Sequence, residues 1–192
     1  LMKYFDELNL SYLVISRPLN LTITATLLSF LENSIFKFER IITNVGFVDT
    51  TPKKKDTLND IRCQFNDSNI GYKYQVLENF KLSNGLVEEL GTLCIDDYSI
   101  NNIAARLKKI NSTIYFINTP EISKNNTFKR QRPKSFFEQI NKSNHLIKKI
   151  SNKCNGKLIN ISSTRIKTFD GVHFTDLDHK ICFREIIPFL SI

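Results

Sequence analysis

At 192 residues, with 41% hydrophobic residues and 15 phenylalanines, the chain has the length and apolar material of one domain with a sizeable core, which excludes disorder over most of it. The net charge of +8 is spread along the chain; its densest clusters, Lys53-Lys54-Lys55 and Lys129-Arg130-Gln131-Arg132, fall in segments that read as solvated loops with no aromatic-interleaved motif, so no nucleic-acid partner is expected. Four cysteines with neither CxxC spacing nor histidines at metal-ligand intervals exclude a recognisable zinc site, and no run approaches the roughly 18 apolar residues of a membrane span.

Tyr12-Leu13-Val14-Ile15 is a β-prone run ended by Ser16-Arg17-Pro18, and it predicts a first strand. Leu27, Leu28, Leu31 and Ile35 at helical spacing predict a helix from Thr22 to Phe38. Arg40 to Gly46 predicts a second strand, closed by Phe47-Val48-Asp49-Thr50-Thr51-Pro52. Between 53 and 100 the pattern is broken repeatedly by Asn, Asp and Gly, and Leu77, Phe80, Leu82, Leu86 and Leu90 predict one or two short helices there.

Regular alternation then returns. A helix over 101–110, a strand from Ser112 to Asn118 ended by Thr119-Pro120, and a polar, basic loop over 121–133 are expected in turn. A helix from Lys134 to Lys153 follows, with Phe136, Ile140, Leu146, Ile147 and Ile150 on its apolar side, then a strand over Lys157–Ile161 and a last helix from Asp176 to Phe189. Cys182 lies among apolar residues of that helix and reads as a buried small hydrophobe. His145 is expected on a helix surface and His179 in the first turn of the last helix. Strands alternating with helices imply parallel pairing through right-handed crossovers, so the predicted fold is a doubly wound three-layer α/β domain over 1–192 with a mainly parallel sheet. In such a sheet the functional loops lie at the carboxyl ends of strands: here Ser16–Asn20, Gly46–Pro52 and the segment 162–175.

The last of these carries Asp170-Gly171-Val172-His173-Phe174-Thr175-Asp176-Leu177-Asp178-His179. A carboxylate three residues before a histidine, on a turn opened by Gly171, lets Asp170 accept the imidazole Nδ1–H of His173 while Nε2 faces a nucleophile. That is the base-and-orienter half of a hydrolase triad. The same residues also suit an Asp-Gly turn running into a helix capped by Thr175 and Asp178, whatever the chemistry.

This block resembles the last conserved block of the SGNH (GDSL-type) hydrolases, esterases and acyl-hydrolases of flavodoxin-like α/β/α fold, in which the Asp and first His complete a Ser-His-Asp triad. The family usually has Gly before its second histidine, where this chain has Asp178. Val45-Gly46-Phe47-Val48-Asp49 resembles the family's third block, Gly-x-Asn-Asp, in a divergent Gly-x-Val-Asp form. The resemblance implies that Gly46 permits close approach to substrate. Val48 stands in the place of the oxyanion-donating Asn, and an ionised Asp49 accepts rather than donates hydrogen bonds; Asp49 also suits a loop or helix cap. Ser16-Arg17-Pro18-Leu19-Asn20 stands where the second block is expected. Asn20 is there a candidate oxyanion donor or helix cap, and Arg17 a candidate for a substrate carboxylate or phosphate.

No Gly-Asp-Ser segment, the family's nucleophile block, occurs in these residues. The resemblance therefore implies a single SGNH-like domain whose first strand and serine lie upstream of Leu1, so that 1–192 alone is inactive. The expected activity is hydrolysis of an acyl ester on a carbohydrate or lipid, with no cofactor or metal. No signal-peptide pattern is visible, which makes the cytoplasm the default location. The rival expectation is a non-catalytic α/β module whose basic loops bind an anionic polymer.

Overall fold

The computed structural model describes residues 11–14, 23–120, 132–161 and 175–190. In chain order the elements are α1 (Ile23–Asn33), β1 (Arg40–Thr43), α2 (Phe47–Thr50), β2 (Lys53–Lys54), α3 (Lys55–Asp67), β3 (Tyr72–Lys81), β4 (Val87–Ile95), α4 (Asp97–Lys108), β5 (Thr113–Ile117), α5 (Lys134–Cys154), β6 (Lys157–Ile159) and α6 (Asp176–Ile186), with a 3₁₀ turn at Ile187–Phe189. The protein is mixed α/β, with a parallel three-stranded sheet in the order β1-β5-β6 and an antiparallel one in the order β2-β4-β3. No helix among the described residues is long and apolar enough to cross a membrane.

The parallel sheet is apolar on both faces, as parallel strands joined by helical crossovers must be. Successive residues point to opposite sides. Ile41, Ile114 and Phe116 join the cluster formed with α1, α3, α4 and α5, whereas Tyr115 and Ile159 join the cluster with Cys182 and Ile186 of α6. Burial of Cys182 pushes its thiol up to about 12, aided by the nearby Asp178 carboxylate, and burial also raises Cys154. A thiolate reagent at pH 8 is accordingly expected to modify exposed Cys63 in the folded chain and to reach Cys154 and Cys182 only after unfolding. Counting adducts by intact mass before and after denaturation checks this.

The second half of the chain follows its periodicity closely. The apolar residues Phe136, Ile140, Ile147 and Ile150 lie three to seven apart and are buried along α5, and Asn155 ends that helix in the left-handed conformation (φ 60°). At its other end Pro133 supplies no side-chain cap. Instead Glu78 Oε1 of β3 accepts from Ser135 N at 2.6 Å, and Oε2 from Lys134 N at 3.4 Å, a carboxylate at the positive end of the helix. A β-bulge between Val76 and Glu78 re-aims the strand there.

The first half departs from expectation in four places. Residues 11–14 form no strand, and Tyr12, Leu13 and Val14 stand exposed at 41%, 54% and 46%; β-propensity reports fit to a pleated, half-buried surface, and these side chains are not buried in one. Ile15 lies outside the described residues. The helix expected to reach Phe38 ends at Asn33, whose amide donates to Ser29 O at 2.7 Å, and Ser34 Oγ accepts from Phe36 N at 3.1 Å. Short polar side chains here give the backbone partners outside the helix, and Ile35 is left 90% exposed. The second strand stops at Thr43 rather than Gly46.

The largest correction concerns 53–100. The short helices expected around Leu77 to Leu90 are instead the long hairpin β3–β4. Leu82, Leu86 and Leu90 lie four apart, which fits a helix but is also an even multiple of the strand period of two. Asn84-Gly85 is the deciding signal: Gly85 sits at φ 85°, Gly85 N donates to Leu82 O at 2.9 Å, and Leu82 N to Leu86 O at 2.7 Å. The first basic cluster is likewise no loop, since Lys53 and Lys54 form β2 and Lys55 opens α3.

Candidate active site

The strands β1, β5 and β6 run parallel, so their carboxyl ends lie on one edge. From those ends the chain continues into 44–52, 118–133 and 160–175. With adjacent strands about 4.8 Å apart, the exits of β1 and β6 are separated by about 10 Å, with β5 between them.

The turn after β1 is organised by its own side chains. Gly46 has φ 97°, and a Cβ on it would stand 3.3 Å from Leu146 Cδ2 and 3.6 Å from Ile147 Cγ1. The glycine therefore permits a left-handed turn that α5 also approaches closely. Thr50 donates to Gly46 O from both its backbone N (3.1 Å) and its Oγ1 (3.0 Å). Thr51 Oγ1 donates to Val48 O at 2.9 Å. Lys53 Nζ donates to Val48 O, and at 2.9 Å to both Thr51 O and Thr51 Oγ1. Thr92 of β4, fully buried, donates to Thr50 O at 3.0 Å. Of the basic triplet, Lys53 is thus engaged with this turn and Lys54 pairs with Glu88 at 2.6 Å.

Asp49 is fully buried. Its Oδ2 accepts from Thr24 N at 3.0 Å and from Thr24 Oγ1. Thr24 lies in the first turn of α1, where backbone N–H groups have no partner within the helix. Asp49 therefore caps, from across the fold, the helix that follows the Arg17–Asn20 segment. Asp49→Ala is expected to destabilise the protein by about 2–3 kcal/mol, the usual loss for hydrogen bonds to a charged group. Asp49→Asn, which keeps an acceptor, is expected to lose less. Urea unfolding of both variants checks this; equal stability of Asp49→Ala and wild type would remove the capping role.

Asp170, His173, Arg17 and Asn20 lie outside the described residues. The flanks of the first two are described. On the C-terminal side Thr175 caps α6: its Oγ1 accepts from Asp178 N at 3.4 Å and donates to Asp178 Oδ2. Asp178 is 3% exposed. Asp178 is thus a capping carboxylate at the amino end of a helix. His179 lies in the first turn of α6, and His145 is exposed on α5.

On the N-terminal side, two asparagines carry the exits of β5 and β6. Asn118 Oδ1 accepts from Ile161 N at 2.6 Å, and Asn144 exchanges two hydrogen bonds of 2.8 Å with the backbone of Thr119. Neither residue belongs to a local motif, and both lie far in sequence from their partners, as Thr24 and Thr92 do. Among the described residues no three His, Cys, Asp or Glu side chains gather as metal ligands.

No family model matches the chain. No curated protein sequence matches it either.

Proposed function

We propose that the complete protein is an SGNH-type serine esterase or deacylase on a flavodoxin-like, doubly wound α/β/α fold, acting on an acyl ester of a carbohydrate or lipid. His173 takes the proton from a serine Oγ contributed from upstream of Leu1, and Asp170 holds its imidazole tautomer through Nδ1–H. The Oγ–acyl bond forms, the ester C–O bond breaks, and His173 returns the proton to the leaving alkoxide. Water, deprotonated by the same imidazole, then releases the acid and restores the serine. Groups at Gly46 and Asn20 stabilise the tetrahedral oxyanion, Arg17 meets an anionic part of the substrate, and Asp49 holds the amino end of α1 beside them. No cofactor or metal enters this scheme.

The observation that supports the reading is that β1 and β6 end on one edge of a parallel sheet, β1 leading into the Gly46–Asp49 turn and β6 toward the stretch of sequence that carries Asp170 and His173. The polymer-binding rival is weakened by Lys53 and Lys54, which are engaged within the fold. A fluorophosphonate probe followed by intact mass on the complete protein tests the proposal. One covalent adduct on a serine is expected, and its formation should be suppressed by a slowly turned-over ester. Absence of any adduct, with salt-sensitive retention on a polyanion, would replace the esterase with the binding module.

A further inference from the structure

We infer that the amino-terminal half of α5 is a strap that opens and unwinds from the fold as a unit, baring α2 at Val48, while the carboxyl-terminal half stays docked. The packing of the helix divides in two. Leu146, Ile147, Ile150 and Cys154 lie in the main core. Phe136 and Ile140 form a separate small cluster, with Val48 and Phe137 packed against it. Beside that cluster Ser135, Gln139 and Ser143 stand four residues apart, and so form one row along the helix, about 6 Å from one to the next. All three are buried, at 6%, 1% and 0% exposure. Their Ser135 Oγ, Gln139 Nε2 and Ser143 Oγ atoms find no hydrogen-bond partner among the described residues. A buried polar group without a partner has given up water and gained nothing in return. Three in one row oppose the docking of this half of the helix. Opening gives each of them water, at the expense of the small Phe136–Ile140 cluster and not of the main core.

Hydrogen bonds from other elements mark both ends of the strap. At the amino end the Glu78 carboxylate of β3 accepts from Ser135 N at 2.6 Å and from Lys134 N at 3.4 Å, which latches the first turn. At the other end Asn144 Nδ2 donates to Thr119 O and its Oδ1 accepts from Thr119 N, each at 2.8 Å. Two residues later Leu146 enters the main core. The hinge therefore falls between Ser143 and Leu146, and opening releases the Glu78 latch while the Asn144 bonds hold. Val48 belongs to α2, which packs on α5, so the open strap leaves that helix uncovered.

Hydrogen exchange of the complete protein, resolved to single amides and corrected for intrinsic rates, tests this. In the wild type the amides of 138–143 are expected to exchange at least about tenfold faster than those of 147–154. Gln139→Met keeps the length and the helix propensity of the side chain and removes its amide. It is expected to slow exchange of 138–143 about tenfold, the size of one unpaired buried group. Ser143→Ala should slow it by more than Asn141→Ala, a change at an exposed position of the same helix that reports helix propensity alone. Ile150→Val, in the docked half, should quicken exchange of 147–154 and leave 138–143 as in wild type. Equal protection of the two halves in wild type overturns the inference, since α5 then opens only with the whole fold. Exchange of 138–143 that Gln139→Met leaves unchanged or quickens also overturns it, because the polar row is then not what loosens the strap. Ile150→Val quickening both halves alike overturns it as well.

Discussion

Under the proposed esterase reading, His173→Ala in the complete protein is expected to lower ester hydrolysis by about 10³-fold or more. The size follows from the role. A serine hydroxyl is a weak nucleophile near neutral pH, and the imidazole must remove its proton as the new bond forms. Without that base the oxyanion-stabilising groups and substrate binding still act, so a residual rate should remain above the uncatalysed one. Asp170→Asn should also lose kcat, because an amide at that place no longer favours the imidazolium that develops. His179→Ala, a change in the first turn of α6, should leave the rate near wild type. Steady-state kinetics on the three variants decide the matter: equal rates for His173→Ala and wild type would remove His173 from the mechanism.

Phe116→Ala should produce the largest loss of stability, about 3–5 kcal/mol. Phe116 lies in β5, the middle strand of the parallel sheet, and is fully buried in the main core. Its ring is accommodated by Gly156: a Cβ there would stand 2.4 Å from Phe116 Cε2, 2.9 Å from Cδ2 and 3.2 Å from Ile114 O. Gly156→Ala therefore forces an inflexible ring or its strand to move, at an expected cost of about 1–3 kcal/mol. The two effects should not add. With the ring removed, the added methyl meets only the Ile114 carbonyl, so Gly156→Ala should cost less in the Phe116→Ala background than in wild type. Denaturant unfolding of the four chains measures the coupling; simple additivity would mean that the glycine is not there for the ring.

The elements that sequence periodicity located well are those whose pattern admits a single period and whose ends carry chemical markers. In α5 apolar residues keep to one helical face from Phe136 to Cys154, with Ser143 filling the turn between Ile140 and Ile147, a run no strand sustains, and its end is marked by Asn155-Gly156. The strand β5 is a compact run, Thr113–Ile117, stopped before Pro120. The helix α6 starts at the Thr175–Asp178 cap expected for it. In the β3–β4 hairpin, leucines four apart serve both periods and so predict helix, whereas the Asn84-Gly85 turn and the Tyr72-Lys73-Tyr74-Gln75-Val76 alternation carry the strand signal.

The residues around the proposed site divide in the same way. Asp170, His173, Gly46 and Asp49 stand out in the chain because their neighbours form short, recognisable strings. The partners that give those strings a setting do not. Asp49 and Thr24 are 25 residues apart, Thr92 and Thr50 are 42 apart, and Asn118 and Ile161 are 43 apart. By itself, then, the sequence determined the helix and strand runs of the second half to within a few residues, the Thr175–Asp178 cap and the motif residues, because these follow from local period, caps and turn chemistry. Only the tertiary structure decided that Asp49 serves the amino end of α1, that Glu78 caps α5 and that two asparagines hold the exits of β5 and β6. A hydrogen bond between side chain and distant backbone depends on where packing places the two chains, and no local pattern records that.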